Sequence, residues 1–351
     1  MREERRALGY GEAAFPSYVL NAHHSESEKS KAEEYINSSD AVIIGSADEE
    51  YIYKRKENSD LVFRYSERIF KKRKNLFGFI REGIGHRIKN PVRKPLYLLC
   101  AGAYVSSDYA GYGLFRNKAY KWGYFPETRY YDDIHNVINQ KKKNSILWAG
   151  RFIDWKHPDD ALNAAEILKE NGFDFELNFI GTGEMENHLK MLAEKKGLSD
   201  CVHFLGSMKP ENVRTCMEKS EVFLFTSDRN EGWGAVLNEA MNSGCAVVAS
   251  HEAGSVPYLT KNGENALVYE SGNYQMLAEK IMFLLNNPEN RKQISVAAYK
   301  TVAEEWNAAV ASERLVNLIN HIIDGEKNPD IYKDGPCSKA EKMKENWFKK
   351  L

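Results

Sequence analysis

Two glutamates, Glu231 and Glu239, stand with seven residues between them in the segment SDRNEGWGAVLNEAMNSG, residues 227–244. An apolar run, Val222–Phe225, precedes them, and Gly232 and Gly234 come before a helix predicted to begin near Ala235. Backbone N–H groups at a helix start have no intrahelical partner, and glycines let a ligand approach them, so this turn can take a phosphate. Glu231 falls at the mouth of the turn and Glu239 about one turn into the helix. Two carboxylates so placed can accept hydrogen bonds from different hydroxyl-bearing parts of one ligand. The structural alternative is a glutamate favouring the helix dipole and a second, solvated one.

A second constellation lies at Ala149-Gly150-Arg151, closing a predicted strand, with Lys156 five residues beyond the arginine. Ligands of parallel sheets bind past the carboxyl ends of the strands. A planar guanidinium and a compact ammonium there suit a pyrophosphate; taken singly, each is an ordinary surface charge. Gly181-Thr182-Gly183-Glu184 is a further glycine-rich turn, but Glu186 leaves the dinucleotide fingerprint incomplete.

The elements that must position these residues are legible. From residue 144 onward, strand-like runs at Ser145–Ala149, Glu176–Ile180, Val202–Leu205, Val222–Phe225 and Ala246–Ala249 alternate with helical patterns such as Pro158–Glu170. That rhythm implies right-handed crossovers and a parallel, doubly wound α/β sheet. The earlier part alternates similarly, with strand candidates Tyr18–Asn21, Ala41–Gly45, Leu61–Tyr65, Leu96–Ala101 and Ala119–Tyr124. The polar stretch opened by Pro126 reads as a linker. The expected organisation is a first domain over 1–125, a linker over 126–143, a second domain over 144–325 and a tail over 326–351. A long amphipathic helix with Trp306, Val310, Leu315, Leu318, Ile319 and Ile322 ends the second domain at Gly325. It reads as a covering helix followed by a surface tail, the alternative being a tail that packs back on the first domain.

Composition narrows the class. A chain of 351 residues has room for about two domains. With 49 basic and 50 acidic residues, the net charge is 49 − 50 = −1, so no global field draws nucleic acid. The five cysteines show no CxxC spacing and read as reduced thiols. Residues 1–15 carry no apolar signal core, and the longest apolar stretch is about half of the ~20 residues that span a bilayer, so a cytoplasmic location is expected.

Together, AGRFIDWK (149–156), the Gly181–Gly183 turn, HFLG (203–206), TSDRNEGWGAVLNEAMNSGCAVVAS (226–250), GSVPYL (254–259) and NALVY (265–269) resemble the retaining family-4 glycosyltransferases, the glycosyl transferases group 1, of the GT-B fold. The resemblance implies two Rossmann-like domains facing a cleft and transfer of a sugar from a nucleotide-diphosphate donor to a glycan or glycolipid with retention of configuration, in polysaccharide or glycoconjugate synthesis. It implies that Arg151 and Lys156 neutralise the pyrophosphate of the leaving group. Glu231 would bind hydroxyls of the sugar and Glu239 the ribose. Gly232, Trp233 and Gly234 would offer backbone contacts, with Gly150 and Gly183 lining the same turns. No metal or other cofactor is implied, since cations and a helix terminus supply the positive potential. His157 and Tyr258 stand where the family commonly has a small residue and a glutamate. The family's first strand and glycine turn have no counterpart, so the first domain is expected to lack its first strand. Glu67 is a candidate for a first-domain role, with an ion pair to Arg64 or Arg68 as the structural alternative.

Two other readings compete: a non-catalytic nucleotide- or sugar-binding remnant of the same fold, and a nicotinamide dehydrogenase. The dehydrogenase is disfavoured because Gly9-x-Gly11 follows no strand and Gly181-x-Gly183 lacks its third small residue. His23-His24 has no partner at ligand spacing. Residues 71–94 hold nine Lys or Arg against one Glu, interleaved with Leu76, Phe77, Phe79, Ile80, Ile84 and Ile88. They read as a solvated basic face or as a segment meeting an anionic membrane surface.

Overall fold

The computed structural model describes residues 16, 18–22, 25–71 and 76–350. His23 and His24, Lys72, Arg73 and Lys74, the Leu76 side chain and the Gly9-x-Gly11 turn lie outside the described residues. The chain divides into two units and passes between them at 122/123, 313/314 and 343/344.

The first unit is built on four parallel strands, β1 (Ala41–Ile44), β2 (Leu61–Ser66), β3 (Leu96–Ala101) and β4 (Ala119–Trp122), in the order β1-β2-β3-β4. Tyr18–Asn21 pairs with none of them and is not a strand. β3, LYLLCA, is buried along its whole length, as a strand covered on both faces requires. Strands laid down consecutively by right-handed crossovers send every crossover helix to one face. That face carries Ile44, Val62, Leu96, Leu98 and Cys100 against Val105, Tyr109 and Tyr112. The sheet is therefore wound in one direction among the described residues, where a doubly wound one was expected.

Its other face needs a separate cover, and residues 314–343 provide it. Leu315 and Leu318 of helix Ala308–Ile323 pack with Cys337 on Phe63, Tyr97, Leu99 and Tyr120. The Tyr120 hydroxyl donates to the Pro329 carbonyl at 2.9 Å. Along the free edge of β4, the Lys121 N–H donates to Ser338 and the Cys337 N–H donates to Lys121. Residues 326–343 are thus a structural layer of the first unit, and the second unit gives up the chain at 313, before the expected boundary at 325. Glu67 pairs with Lys71 at 3.1 Å, while Arg64 pairs with Glu49 and Arg68 with Asp108.

The second unit contains β5 (Lys142–Ala149), β6 (Glu176–Ile180), β7 (Val202–Phe204), β8 (Ser220–Phe225), β9 (Ala246–Ser250) and β10 (Leu267–Tyr269), all parallel, in the order β10-β9-β8-β5-β6-β7. Alternate residues of each strand feed separate cores. Trp148, Leu224 and Val248 meet Leu162 and Phe179 on one face, and Leu147, Phe223 and Val247 meet Leu237 and Met241 on the other. Both faces are covered by helices, so this sheet is doubly wound. The stretch 126–143 belongs to this unit and carries helix Ile134–Asn139 and the start of β5. Among the described residues no helix is long and apolar enough to cross a membrane.

Candidate functional site

In this second sheet the winding reverses between β5 and β8, which lie side by side although Gly150 to Lys219 separate them in sequence. A crevice opens past the carboxyl ends of strands at such a switch point, and this is where open α/β sheets hold ligands. The loop leaving β5 carries Gly150, Arg151 and Lys156. The loop leaving β8 carries Thr226 through Ala235. Both predicted constellations therefore come to one place.

The two loops are stitched together by main-chain and side-chain bonds. The Asp228 N–H donates to the Trp155 carbonyl at 3.0 Å. The Thr226 hydroxyl donates to the Lys156 carbonyl at 2.5 Å and accepts from the Trp148 indole at 2.8 Å. Lys156 Nζ lies 2.5 Å from Glu231 Oε2, with each side chain only 13% exposed. Sequence reasoning assigned that lysine and glutamate separate tasks; in the structure they hold each other. The Ser227 hydroxyl also reaches the Glu231 carboxylate, at 3.3 Å. Arg151 is exposed, its guanidinium 5.8 Å from the centre of the Trp155 ring.

The turn after Glu231 is unusual in its open donors. Among the described residues, nothing accepts from the N–H groups of Gly232, Trp233, Gly234 and Ala235. Successive free N–H groups form a concavity of positive potential. Gly234 makes this backbone possible: its φ is +83°, and a Cβ there would lie 2.3 Å from the Phe225 ring. Gly234→Ala is expected to cost about 2–4 kcal/mol in chemical denaturation, from left-handed strain plus overpacking. Gly172→Ala, at φ +76° but with open space around it, should lose only the strain. Equal losses in the two variants would contradict this account of the turn.

Other predicted site residues also serve the packing of the fold. The Trp233 side chain is fully buried against Tyr258 and Trp306 and donates its indole N–H to Asn238 at 2.8 Å, which leaves its backbone N–H as its contribution to the turn. The Gly150 N–H is taken by the Ile180 carbonyl. A Cβ on Gly183 would meet the Phe152 carbonyl at 2.4 Å, so that glycine serves close loop packing. Glu239, in helix Val236–Asn242, is half-buried, and its carboxylate accepts no hydrogen bond among the described residues. Burial raises its carboxyl above the ordinary value, opposed by the charges of Arg214 and Arg129. Thr226, Trp148 and Asp228 were missed as site residues; the only sequence signal was their place at the ends of β5 and β8. No group of three or more His, Cys, Asp or Glu side chains able to hold a metal occurs among the described residues.

Residues 131–301, the stretch containing both loops, match the family model described as glycosyl transferases group 1. This part of the chain belongs to the glycosyl transferases group 1. Among relatives, the chain is similar over half its length to the amylovoran biosynthesis glycosyltransferase AmsK of Erwinia amylovora. The two are 29% identical over 182 residues, which are 50% of this chain and 44% of that protein. The chain spans about half the length of the curated relatives it matches. Over both units the fold is that of GT-B glycosyltransferases. A glycosyltransferase of Rickettsia africae superposes with a TM-score of 0.66 at 16% identity, covering 90% of this chain and 84% of that one. Anabaena HepE, solved in complex with UDP, superposes with a TM-score of 0.64 at 14% identity, covering 84% and 82%.

Proposed function

We propose that this chain is a glycosyltransferase that moves a sugar from a nucleotide-diphosphate donor to a glycan or glycolipid, with retention of configuration, in surface polysaccharide or glycoconjugate synthesis. The observation that carries the reading is the meeting, at one switch point, of an ammonium, four open N–H groups and an unengaged carboxylate. The N–H groups and Lys156 suit a diphosphate, and Arg151 adds a solvent-facing charge as the leaving group forms. Glu239 suits a ribose diol and Glu231 the sugar hydroxyls. The group 1 relatives include proteins named for amylovoran and capsular polysaccharide biosynthesis, which supports the acceptor class. No metal or cofactor enters this scheme. The test is transfer of labelled sugar from α-linked nucleotide donors, with the product anomer read by proton NMR. An inverted product would refute retention.

A second reading, nucleotide or sugar binding without transfer, draws on one observation: the described first-unit sheet has four strands wound in a single direction. Saturable binding with no turnover on any acceptor would favour it.

We also place the protein in the cytoplasm and on the inner membrane surface. Helix Leu76–Lys89 turns Phe77, Ile80, Ile84 and Ile88 to solvent, at helical spacing, with Phe77 75% and Ile88 72% exposed. Arg81, Arg87 and Lys89 are exposed beside them. Phe79 instead packs on Tyr112 and Phe70 and is not available for insertion. An apolar stripe rimmed by cations suits an anionic interface, each basic residue contributing about 1 kcal/mol. The protein should sediment with anionic liposomes, hardly with neutral ones, and leave them at high salt. Replacing Phe77, Ile84 and Ile88 by Ser should abolish sedimentation and leave nucleotide binding intact. Equal partitioning onto both vesicle types, or none, would refute membrane attachment.

A further inference from the structure

His157, directly after Lys156, is the least expected residue of the site. Its backbone is left-handed, with φ 46° and ψ 53°, at the cap of helix Pro158–Glu170. An L side chain is strained there, and glycine is the ordinary solution. The imidazole does not cap the helix. Its Nε2 lies 3.3 Å from Asp228 Oδ2, on the loop that also carries Glu231. The other Asp228 oxygen accepts from the Asn230 backbone and side-chain N–H groups, so this carboxylate is held from both sides.

We infer that His157 and Asp228 are a positioning pair, latching the Lys156 loop to the Glu231 loop and tuning the affinity of the site through the charge on the imidazole. The main-chain bond from Asp228 to Trp155 and the Thr226 bond to the Lys156 carbonyl run beside the pair, so the latch holds a segment already shaped to present the lysine. The affinity part rests on the proposed nucleotide-sugar reading; the latch itself does not.

The charges around the ring fix the sign. Asp228 faces it from the β8 loop, and Asp159 and Asp160 face it from its own helix. The bond to Asp228 raises the histidine above its ordinary value against burial, with Asp160, Asp228 and Asp159 adding to the rise. The pair is charged at low pH and loses its ion-pair character as pH climbs through that raised value. Asp160, pushed up to about 6 by burial and lowered by His157, titrates nearby and must be separated from the histidine.

Two measurements test this on the full chain. The first, without ligand, is amide exchange at His157, bonded to the Asp154 carbonyl, and at Asp228, bonded to Trp155. His157→Asn tolerates the left-handed backbone but cannot carry the charge, and Asp228→Asn removes the partner. Either variant should exchange about fivefold faster at both amides, the scale of a partly exposed pair. Unchanged exchange in both variants would overturn the latch. The second is calorimetric binding of UDP-glucose and GDP-mannose from pH 6 to 8.5, where their diphosphate diesters do not titrate. Wild-type affinity should fall about threefold to fivefold as pH rises, and both variants should lose that fall. A fall with rising pH that persists in His157→Asn would come from Asp160 and overturn the affinity role. If exchange responds as expected while neither nucleotide sugar binds, the latch stands and the transfer reading fails. If binding requires Lys156 but ignores His157, the nucleotide-sugar reading stands and the affinity role of the pair fails.

Discussion

Lys156→Ala is expected to weaken binding of a nucleoside diphosphate by about ten- to a hundredfold, the value of a charge-assisted hydrogen bond at 1.5–3 kcal/mol. Arg151→Ala should cost much less, because that guanidinium is exposed and solvent-screened while the ammonium is half-buried. Removing the lysine also strands Glu231, so Lys156→Ala alone should lose about 1–3 kcal/mol of folding stability. Adding Glu231→Gln should restore most of that stability without restoring diphosphate binding. Calorimetry and denaturant unfolding on the two variants separate the effects. Recovery of binding in the double variant would show that the single loss was only a folding defect.

The glutamates should separate even more clearly. Glu231→Gln releases the Lys156 ammonium from its closest anion, so affinity for a nucleoside diphosphate lacking the sugar should hold or rise. Turnover and sugar discrimination should fall by one to two orders of magnitude, since each lost bond to a buried hydroxyl is worth about 1–3 kcal/mol. Glu239→Gln should weaken the nucleoside itself. Burial raises the Glu239 carboxyl, so the ionised form that accepts from a diol is present above that raised value. It is lost as pH falls through it, sooner than for an ordinary glutamate. Wild-type nucleoside affinity should therefore drop on mild acidification, and Glu239→Gln should remove that step. An unaltered kcat/KM for every sugar donor in Glu231→Gln would remove that residue from the site.

How far the sequence could be read depended on whether the deciding interactions were local. β3 at Leu96–Ala101, β6 at Glu176–Ile180 and helix Pro158–Glu170 fall where their residue patterns place them, because apolar runs, caps and a first-turn proline act within a few residues. β10 spans only Leu267–Tyr269, too short for a periodic signal. The layer formed by 314–343 reads in sequence as helix end and surface tail, or as a tail packed back on the first domain; the second holds, and only partners some two hundred residues earlier, Phe63, Tyr97 and Tyr120, decide it. Single winding of the first sheet follows from strand order, which local pattern does not encode.

The candidate site shows the same division. Glycine turns and charged loops marked the ends of β5 and β8, and the sheet order brings them together. The ion pair between Lys156 and Glu231 depends on loop approach across that order, so spacing could not reveal it. Trp233 gives the turn its backbone N–H, while its indole is buried beside Trp306, a packing role that spacing does not show. Thr226 is an unremarked strand-end threonine in sequence and a shared hydrogen-bond node in the structure.

The central claim is that the crevice between β5 and β8 holds the diphosphate of a nucleotide sugar. Calorimetric titration of a panel of uridine and guanosine diphosphate sugars into the wild-type chain and into Lys156→Ala, at one pH and ionic strength, tests it most directly. The account predicts one-to-one binding of at least one sugar nucleotide by the wild type and a tenfold or greater loss in the variant. Binding of equal strength in the two proteins, or no binding by the wild type across the panel, would contradict it.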